Sequence, residues 1–277
     1  MKRLCLVILG VWLCSVAFAT DQPQSTGELP GLFTINSAGD KVCFSQGNLR
    51  CNTSSGSKVW SFAQHQYDIL GDANISGTNL AAVIDLFGWS GNGTANFGVS
   101  NKSSNDAYKG TNFRDWGLNP ITNGGDAALE WRTLSKDEWT YLIDNHSKKK
   151  ISVNNVNGWV ILPDNCSLTL TDIADSYTAQ TWNAIEKKGV VFLPCTGYRT
   201  PSPSNTITYS DECYYWTSAP NGSNNAYVGK FISPATESIA RNLGCAVRLV
   251  KDKTDCTRKI IAVPNISGAG TITITAE

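Results

Sequence analysis

The residues best able to do chemistry in this 277-residue chain are its nine cysteines. Cys5 and Cys14 fall in the first nineteen residues. Cys43, Cys51, Cys166, Cys195, Cys213, Cys245 and Cys256 follow. A cysteine can serve as nucleophile, metal ligand or half of a disulfide. No CxxC spacing occurs, and His65 and His146 are the only histidines, so a structural zinc site is not expected. Asp137 and Glu138 are adjacent carboxylates that could act as acid and base. Ser135 and Glu138, however, have S-x-x-E spacing, which makes Glu138 a capping residue and Asp137 a first-turn acid. The two histidines lie in polar surroundings and read as locally hydrogen-bonded groups. There is no P-loop, HExxH, GxSxG or EF-hand loop. Gly91-x-Gly93 with Gly98 misses the dinucleotide spacing and reads as a turn signal. No cofactor is expected.

The compartment decides how the cysteines are used. Lys2 and Arg3 form a positive start, Leu4 to Val16 is apolar, and Ala17-Phe18-Ala19 suits signal peptidase. The run is too short for a membrane span, and no later stretch is long and apolar enough for one. Leu13 is too large to make Cys14 a lipidation site. Cleavage after Ala19 would remove two basic residues and leave 21 Lys and Arg against 23 Asp and Glu. That balance excludes the clustered positive charge a nucleic acid requires. Lys148-Lys149-Lys150 is the one basic run and reads as a solvated loop after a helix. In an exported chain disulfides are the first expectation, and an odd count of seven leaves one thiol over.

The elements that must position these groups can be read in outline. Residues 20–30 are polar and loose. Leu32 to Ile35 is predicted as a strand. Lys41 to Cys51 reads as a hairpin turning at Gly47, which would set Cys43 and Cys51 opposite each other on one face. A Cys43–Cys51 disulfide is therefore expected. Trp60 to Phe62 suits a further strand. Residues 71–127 are rich in Gly, Asn, Ser and Thr, with one apolar cluster, Leu80 to Phe87, that suits a helical turn. Trp89, Phe113, Trp116 and Trp131 read as anchors for these loops rather than ligand-stacking rings. Ser135 opens the clearest helix, with Leu134 and Trp139 as a hydrophobic staple and Trp139, Leu142 and Ile143 as its buried stripe. Gly158 to Leu162 and Val190 to Leu193 are predicted as strands. Between them, Trp182 to Lys188 reads as a helix capped by Thr181. Three further strands, at Tyr214–Ser218, Ala226–Phe231 and Ala246–Val250, are taken as the core sheet. If the first and last are neighbours, Cys213 can pair with Cys245. Cys166–Cys195 is the third candidate pair. Residues 252–277 read as a β tail or linker.

Several segments together resemble a known family. Trp131 to Trp139 is similar to a conserved-motif segment of the formylglycine-generating, sulfatase-modifying superfamily. Gly197-Tyr198-Arg199, Tyr215-Trp216-Thr217-Ser218-Ala219 and Gly244 to Val250 follow in the order of the related Fibrobacter succinogenes major paralogous domains. Gly31 to Ile35, Phe44 to Leu49 and Asp85 to Trp89 resemble exported Bacteroidota proteins of the same group. The resemblance spans about residues 31–251. It implies an α+β, C-type-lectin-like (sulfatase-modifying-factor-like) fold with two helices, a small twisted antiparallel sheet and long irregular loops. The family's enzymes use a closely spaced C-terminal cysteine pair. Cys245 and Cys256 are too far apart to match it. Ala219-Pro220-Asn221 also lacks the Glu of the calcium-lectin motif, and its Trp-Asn-Asp partner is missing.

These features imply an exported, non-enzymatic binding or adhesion module, with a glycan or a surface protein as partner. The alternatives are an enzyme of the same superfamily and a structural cell-surface or fimbria-associated part. Recognition is expected on loops leaving the core strands. The candidate residues are Asn221, Asn224, Asn225 and Tyr227, with Arg241 and Asn242 on the approach to the last strand. The 88–113 loops are the alternative site. N-terminal sequencing of the exported protein should begin at Thr20. A sequence starting at Met1, or a lipidated Cys14, would overturn the leader assignment.

Overall fold

The computed structural model describes residues 26–253, apart from 111, 126, 210, 211 and 233. The leader, Cys256 and the tail beyond residue 253 lie outside the described residues. The chain opens with β1 (Phe33–Thr34), β2 (Lys41–Phe44), β3 (Leu49–Asn52) and β4 (Val59–Phe62). The loop-rich middle carries β5 (Ile75–Ser76), β6 (Asn79–Leu80), β7 (Val83–Ile84) and β8 (Arg132–Thr133). Helix α1 (Lys136–Asn145) leads to β9 (Lys148–Val153), β10 (Val156–Ile161) and β11 (Ser176–Tyr177). Helix α2 (Ala179–Glu186) precedes β12 (Val191–Pro194), β13 (Tyr198–Arg199) and β14 (Ile207–Thr208). The last strands are β15 (Tyr215–Asn221), β16 (Asn225–Gly229), β17 (Thr236–Ala240) and β18 (Leu249–Lys253). The protein is thus α+β, with two helices and several small, mainly antiparallel sheets.

Two four-stranded sheets, ordered β1-β2-β18-β8 and β11-β9-β10-β12, carry one side of the molecule's core. Two three-stranded sheets, β15-β16-β17 and β4-β3-β7, complete the framework. The expected core sheet is therefore only partly formed. β15 and β16 pair with each other, but β18 pairs with β2 and β8. A single parallel bridge, Tyr215 to Ala246, links the first and last of the three predicted strands.

That last stretch lies between two cores. Cys245, Val247 and Leu249 enter one apolar cluster with Trp60, Phe87, Trp116 and Trp216. Ala246 and Val250 enter another with Phe33, Phe44, Trp139 and Tyr215. The period-2 alternation of a strand sends successive side chains to opposite faces, and here both faces are buried. This is why the segment reads as an almost continuous apolar run.

The predicted hairpin at 41–51 does not form. Ser45 N–H donates to Leu249 O at 3.0 Å, and Leu49 N–H donates to Val247 O at 2.9 Å. The 45–48 segment thus carries the chain onward beside residues 247–249, from one sheet to the next, instead of folding it back. Gly47 is required for closeness: a Cβ there would lie 2.5 Å from Ala63 O. As a result Cys43 faces Lys251 across β18, while Cys51 faces Trp60 and Ile84. The two thiols are buried separately and form no disulfide.

Other local expectations also shift. Leu80 to Phe87 contributes to β6 and β7 rather than to a helical turn. The lysine run is not a loop but the start of β9, where Lys148 Nζ donates to Ile143 O. Helix α2 begins earlier than predicted. Thr178 is its cap, and Thr181, the third helical residue, is the partner of that cap in a capping box.

Helix α1 follows its sequence signals closely. Ser135 Oγ accepts from Glu138 N–H at 3.2 Å, and Glu138 Oε2 accepts from Ser135 N–H at 2.7 Å. Leu134, Trp139, Leu142 and Ile143 are all buried in the same cluster. Glu138 also receives both terminal nitrogens of Arg132, at 2.9 and 2.8 Å. Its carboxylate is occupied by capping and ion pairing. Loss of the cap should cost about 1 kcal/mol. Ser135→Ala is therefore expected to lower the melting temperature by about 2–4 °C, read by calorimetry or by urea midpoint at unchanged slope.

Candidate functional site

The β15–β16 hairpin projects the segment proposed from sequence. Its ladder ends at Asn221 opposite Asn225, leaving a three-residue turn, Gly222-Ser223-Asn224. Gly222 has φ +62° with open space around it, so the backbone conformation alone selects glycine there. The ladder shifts register between Trp216 and Pro220, which bends the hairpin on the way to its tip.

The 88–113 loop lies against this tip. Gly88 N–H donates to Gly98 O at 2.9 Å, Ala95 N–H donates to Ala107 O at 2.8 Å, and Gly91 bridges Phe113. The loop is anchored by indoles, as expected. Trp89 Nε1 donates to Thr217 O at 3.0 Å and Trp116 Nε1 to Phe97 O at 2.8 Å, both rings being fully buried. Trp131 Nε1 reaches Gly124 O at 2.7 Å. Each buried ring thus has a satisfied polar edge, the arrangement that holds an irregular backbone in place.

Between the tip and the loop is an open cleft of about 630 Å³. Asn92, Gly93 and Thr94 line one side, Asp106, Lys109 and Gly110 another, and Gly222 with Ser223 the third. Its one charged pair is internally compensated, with Lys109 Nζ 3.0 Å from Asp106 Oδ1. The other polar groups of the lining are amide, hydroxyl and backbone, set in a surface that is mostly carbon. Gly110 has φ +133°, and a Cβ there would lie 1.5 Å from Asn92 Oδ1. The cleft wall therefore depends on glycine at that position.

The sequence-predicted residues converge here, mostly as braces. Arg241 is wholly buried. Its guanidinium donates to Asn225 O at 2.9 Å, Gly110 O at 2.9 Å and Gly222 O at 2.8 Å, and it lies 4.3 Å from the Trp89 ring centre. It therefore ties hairpin tip to loop from beneath and presents no group to solvent. Burial lowers its pKa from the ordinary arginine value. Asn242 Nδ2 donates to Ser103 O at 2.6 Å, and Asn221 Nδ2 donates to Ser238 Oγ at 2.8 Å. Asn224 is exposed, and its carbonyl accepts from Arg241 N–H. Tyr227 is half-buried with Lys136 Nζ 4.6 Å from its ring centre, so one face of the ring is already taken by a cation. Asn92, Thr94, Asp106 and Lys109 were not named from sequence. The turn composition of 88–113 was the only available signal.

The titratable candidates are also placed. His146 is hydrogen-bonded between Thr34 O, at 2.8 Å, and Leu162 O, at 3.2 Å. His65 stacks on Tyr67. Among the described residues, no group of three or more His, Cys, Asp or Glu could hold a metal ion. No described helix is long and apolar enough to cross a membrane. Neither a protein-family model, nor a curated protein, nor a solved structure matches the chain.

Removing the Arg241 guanidinium would leave four backbone carbonyls, those of Tyr108, Gly110, Gly222 and Asn225, without their charged donor. Arg241→Met keeps much of the apolar volume and should cost about 3 kcal/mol or more. Urea unfolding checks this. A change within 0.5 kcal/mol would refute the bracing role.

Proposed function

We propose that the chain is an exported, non-enzymatic recognition module with a C-type-lectin-like fold, binding a neutral, hydroxyl-rich ligand of the glycan class. The observation that carries this reading is the cleft beside the β15–β16 tip. Its volume falls in the range of small-ligand sites, roughly 300–1,000 Å³. Its polar groups are amides, hydroxyls and backbone, and its lysine and aspartate already neutralise each other. Such a lining complements sugar hydroxyls, which need both donors and acceptors and carry no charge. The α+β framework of two helices, small antiparallel sheets and long loops supports the lectin-like assignment at the level of architecture.

The braces beneath the cleft favour binding in a specific way. A loop already held by Arg241 and Trp89 loses little freedom when a ligand arrives. Exposed Ser223, Thr94 and Lys109 remain to meet it. The test is a glycan array probed with the mature protein, followed by titration of the best ligand. Thr94→Ala combined with Ser223→Ala and Lys109→Ala should weaken binding at least tenfold, with the melting temperature within 2 °C of the parent. Undiminished affinity in a folded triple variant would move recognition away from this cleft. An array without any binder, alongside capture of a surface protein, would replace the glycan with a protein partner.

A further inference from the structure

One cysteine pair stands apart from the sequence-derived pairings. Cys195 follows directly on β12, and Cys213 lies two residues before β15. Their Sγ atoms are 2.8 Å apart, closer than two non-bonded sulfurs rest. Both are buried in the cluster that contains Trp139, Tyr215 and Phe231. Backbone contacts fix both sides. Cys195 N–H donates to Asn157 O at 2.8 Å, Cys213 Sγ donates to Leu193 O at 3.3 Å, and Tyr215 hydroxyl donates to Pro194 O at 3.0 Å.

The alternative partners are held elsewhere. Tyr215 and Ala246 are indeed neighbours, as a Cys213–Cys245 bond required, but their bridge is parallel. That register sets Cys245 level with Tyr214, not with Cys213. The one-residue offset sends the two sulfurs to opposite faces. Cys245 accordingly packs with Phe87 and Trp216 in the other core. Cys166 is half-exposed at the edge of a third cluster, with Trp182 and Phe192. It shares no cluster with Cys195.

We propose that Cys195 and Cys213 form an intramolecular disulfide that joins the end of β12 to the entry of β15. The bond closes the 196–212 segment, which carries the β13–β14 hairpin, and so fastens the β11-β9-β10-β12 sheet to the β15-β16-β17 sheet. The oxidant is a disulfide, either a protein donor or glutathione disulfide. One cysteine thiolate attacks it, giving a mixed disulfide and releasing one donor thiol. The second cysteine attacks the mixed disulfide and releases the other donor thiol. Two electrons and two protons leave the chain with the reduced donor. Burial and the neighbouring Cys195 push the Cys213 thiol well above its ordinary pKa. Exchange therefore proceeds before the core closes over the pair, and the finished bond is shielded from reductant in the native state. Cys43 and Cys51, each raised to about 11 chiefly by burial, stay reduced in their own sites.

This inference is independent of any ligand. The test is peptide mapping of the full mature chain, alkylated without reduction, from two preparations. One is refolded in a glutathione redox buffer, and the other is isolated from an oxidising periplasm. The expected result is a linked Cys195–Cys213 peptide, two hydrogens lighter than its parts. It should persist in native reductant and open once denaturant is added. The oxidised protein should melt about 6–12 °C above the reduced one, as a loop of this length implies. Cys195→Ala/Cys213→Ala should remove that difference. Alkylated Cys195 and Cys213 in both preparations, or either residue linked to another cysteine, would overturn the proposal.

Discussion

Three arginines are buried as deeply as any tryptophan in the molecule. Arg199, Arg241 and Arg248 are almost or wholly inaccessible. Among the described residues none of them is ion-paired with a carboxylate. A guanidinium taken from water without compensation costs several kcal/mol. Here compensation comes from carbonyl oxygens. Arg199 reaches Ser100 O at 2.8 Å, Arg241 reaches four backbone carbonyls, and Arg248 reaches the Gln66 and Asn48 side-chain oxygens at 3.1 and 3.4 Å. Burial still tells on the charge, drawing the Arg248 pKa down to about 10. The fold must therefore bring non-ladder carbonyls to fixed points, and the irregular loops are shaped to deliver them.

This requirement explains how a chain with so little regular structure keeps a defined middle. In a long sheet, backbone groups satisfy one another. In residues 64–131 many cannot, because the strands there are only two residues long. The arginine donors and the indole N–H groups of Trp89, Trp116 and Trp131 take up part of the backbone hydrogen bonding that a ladder would otherwise supply. Aromatic packing supplies the apolar side of the same anchors. Phe113 sits 5.4 Å from both Trp89 and Trp116, and Phe87 sits 6.2 Å from Trp116. Planar donors on large apolar side chains do both jobs at once.

What the sequence made legible was local. Helix α1 could be read to its cap because Ser135, Glu138, Leu134 and Trp139 act within one turn of each other. Most strand segments were visible for the same reason, through β-branched and aromatic runs. Pairing was not visible. Gly47 looked like the centre of a turn, yet its partner is the Ala63 carbonyl, sixteen residues away. The lysine run looked like a solvated loop, yet the aliphatic stems lie along β9 while the amines reach Ile143 O, Ile173 O and Asp175. Cysteine pairing failed similarly, since register and face are properties of partners far apart in the chain.

The candidate site shows where composition misleads. Asn, Gly and Arg around a turn suggest a surface built to contact ligand. In this protein much of that polarity faces inward. Arg241 and Asn242 hold the 103–110 loop, and Asn221 holds Ser238. Their hydrogen-bonding capacity is largely used before any ligand arrives. The groups still exposed at the cleft include Ser223, Thr94 and Lys109, on a backbone those braces have already set. A side chain that positions the cleft and one that meets the ligand carry the same residue letters. Only the direction of their hydrogen bonds separates the two, and that direction follows from packing between segments that are apart in the chain, by 17 residues for Asn221 and Ser238 and by 131 for Arg241 and Gly110.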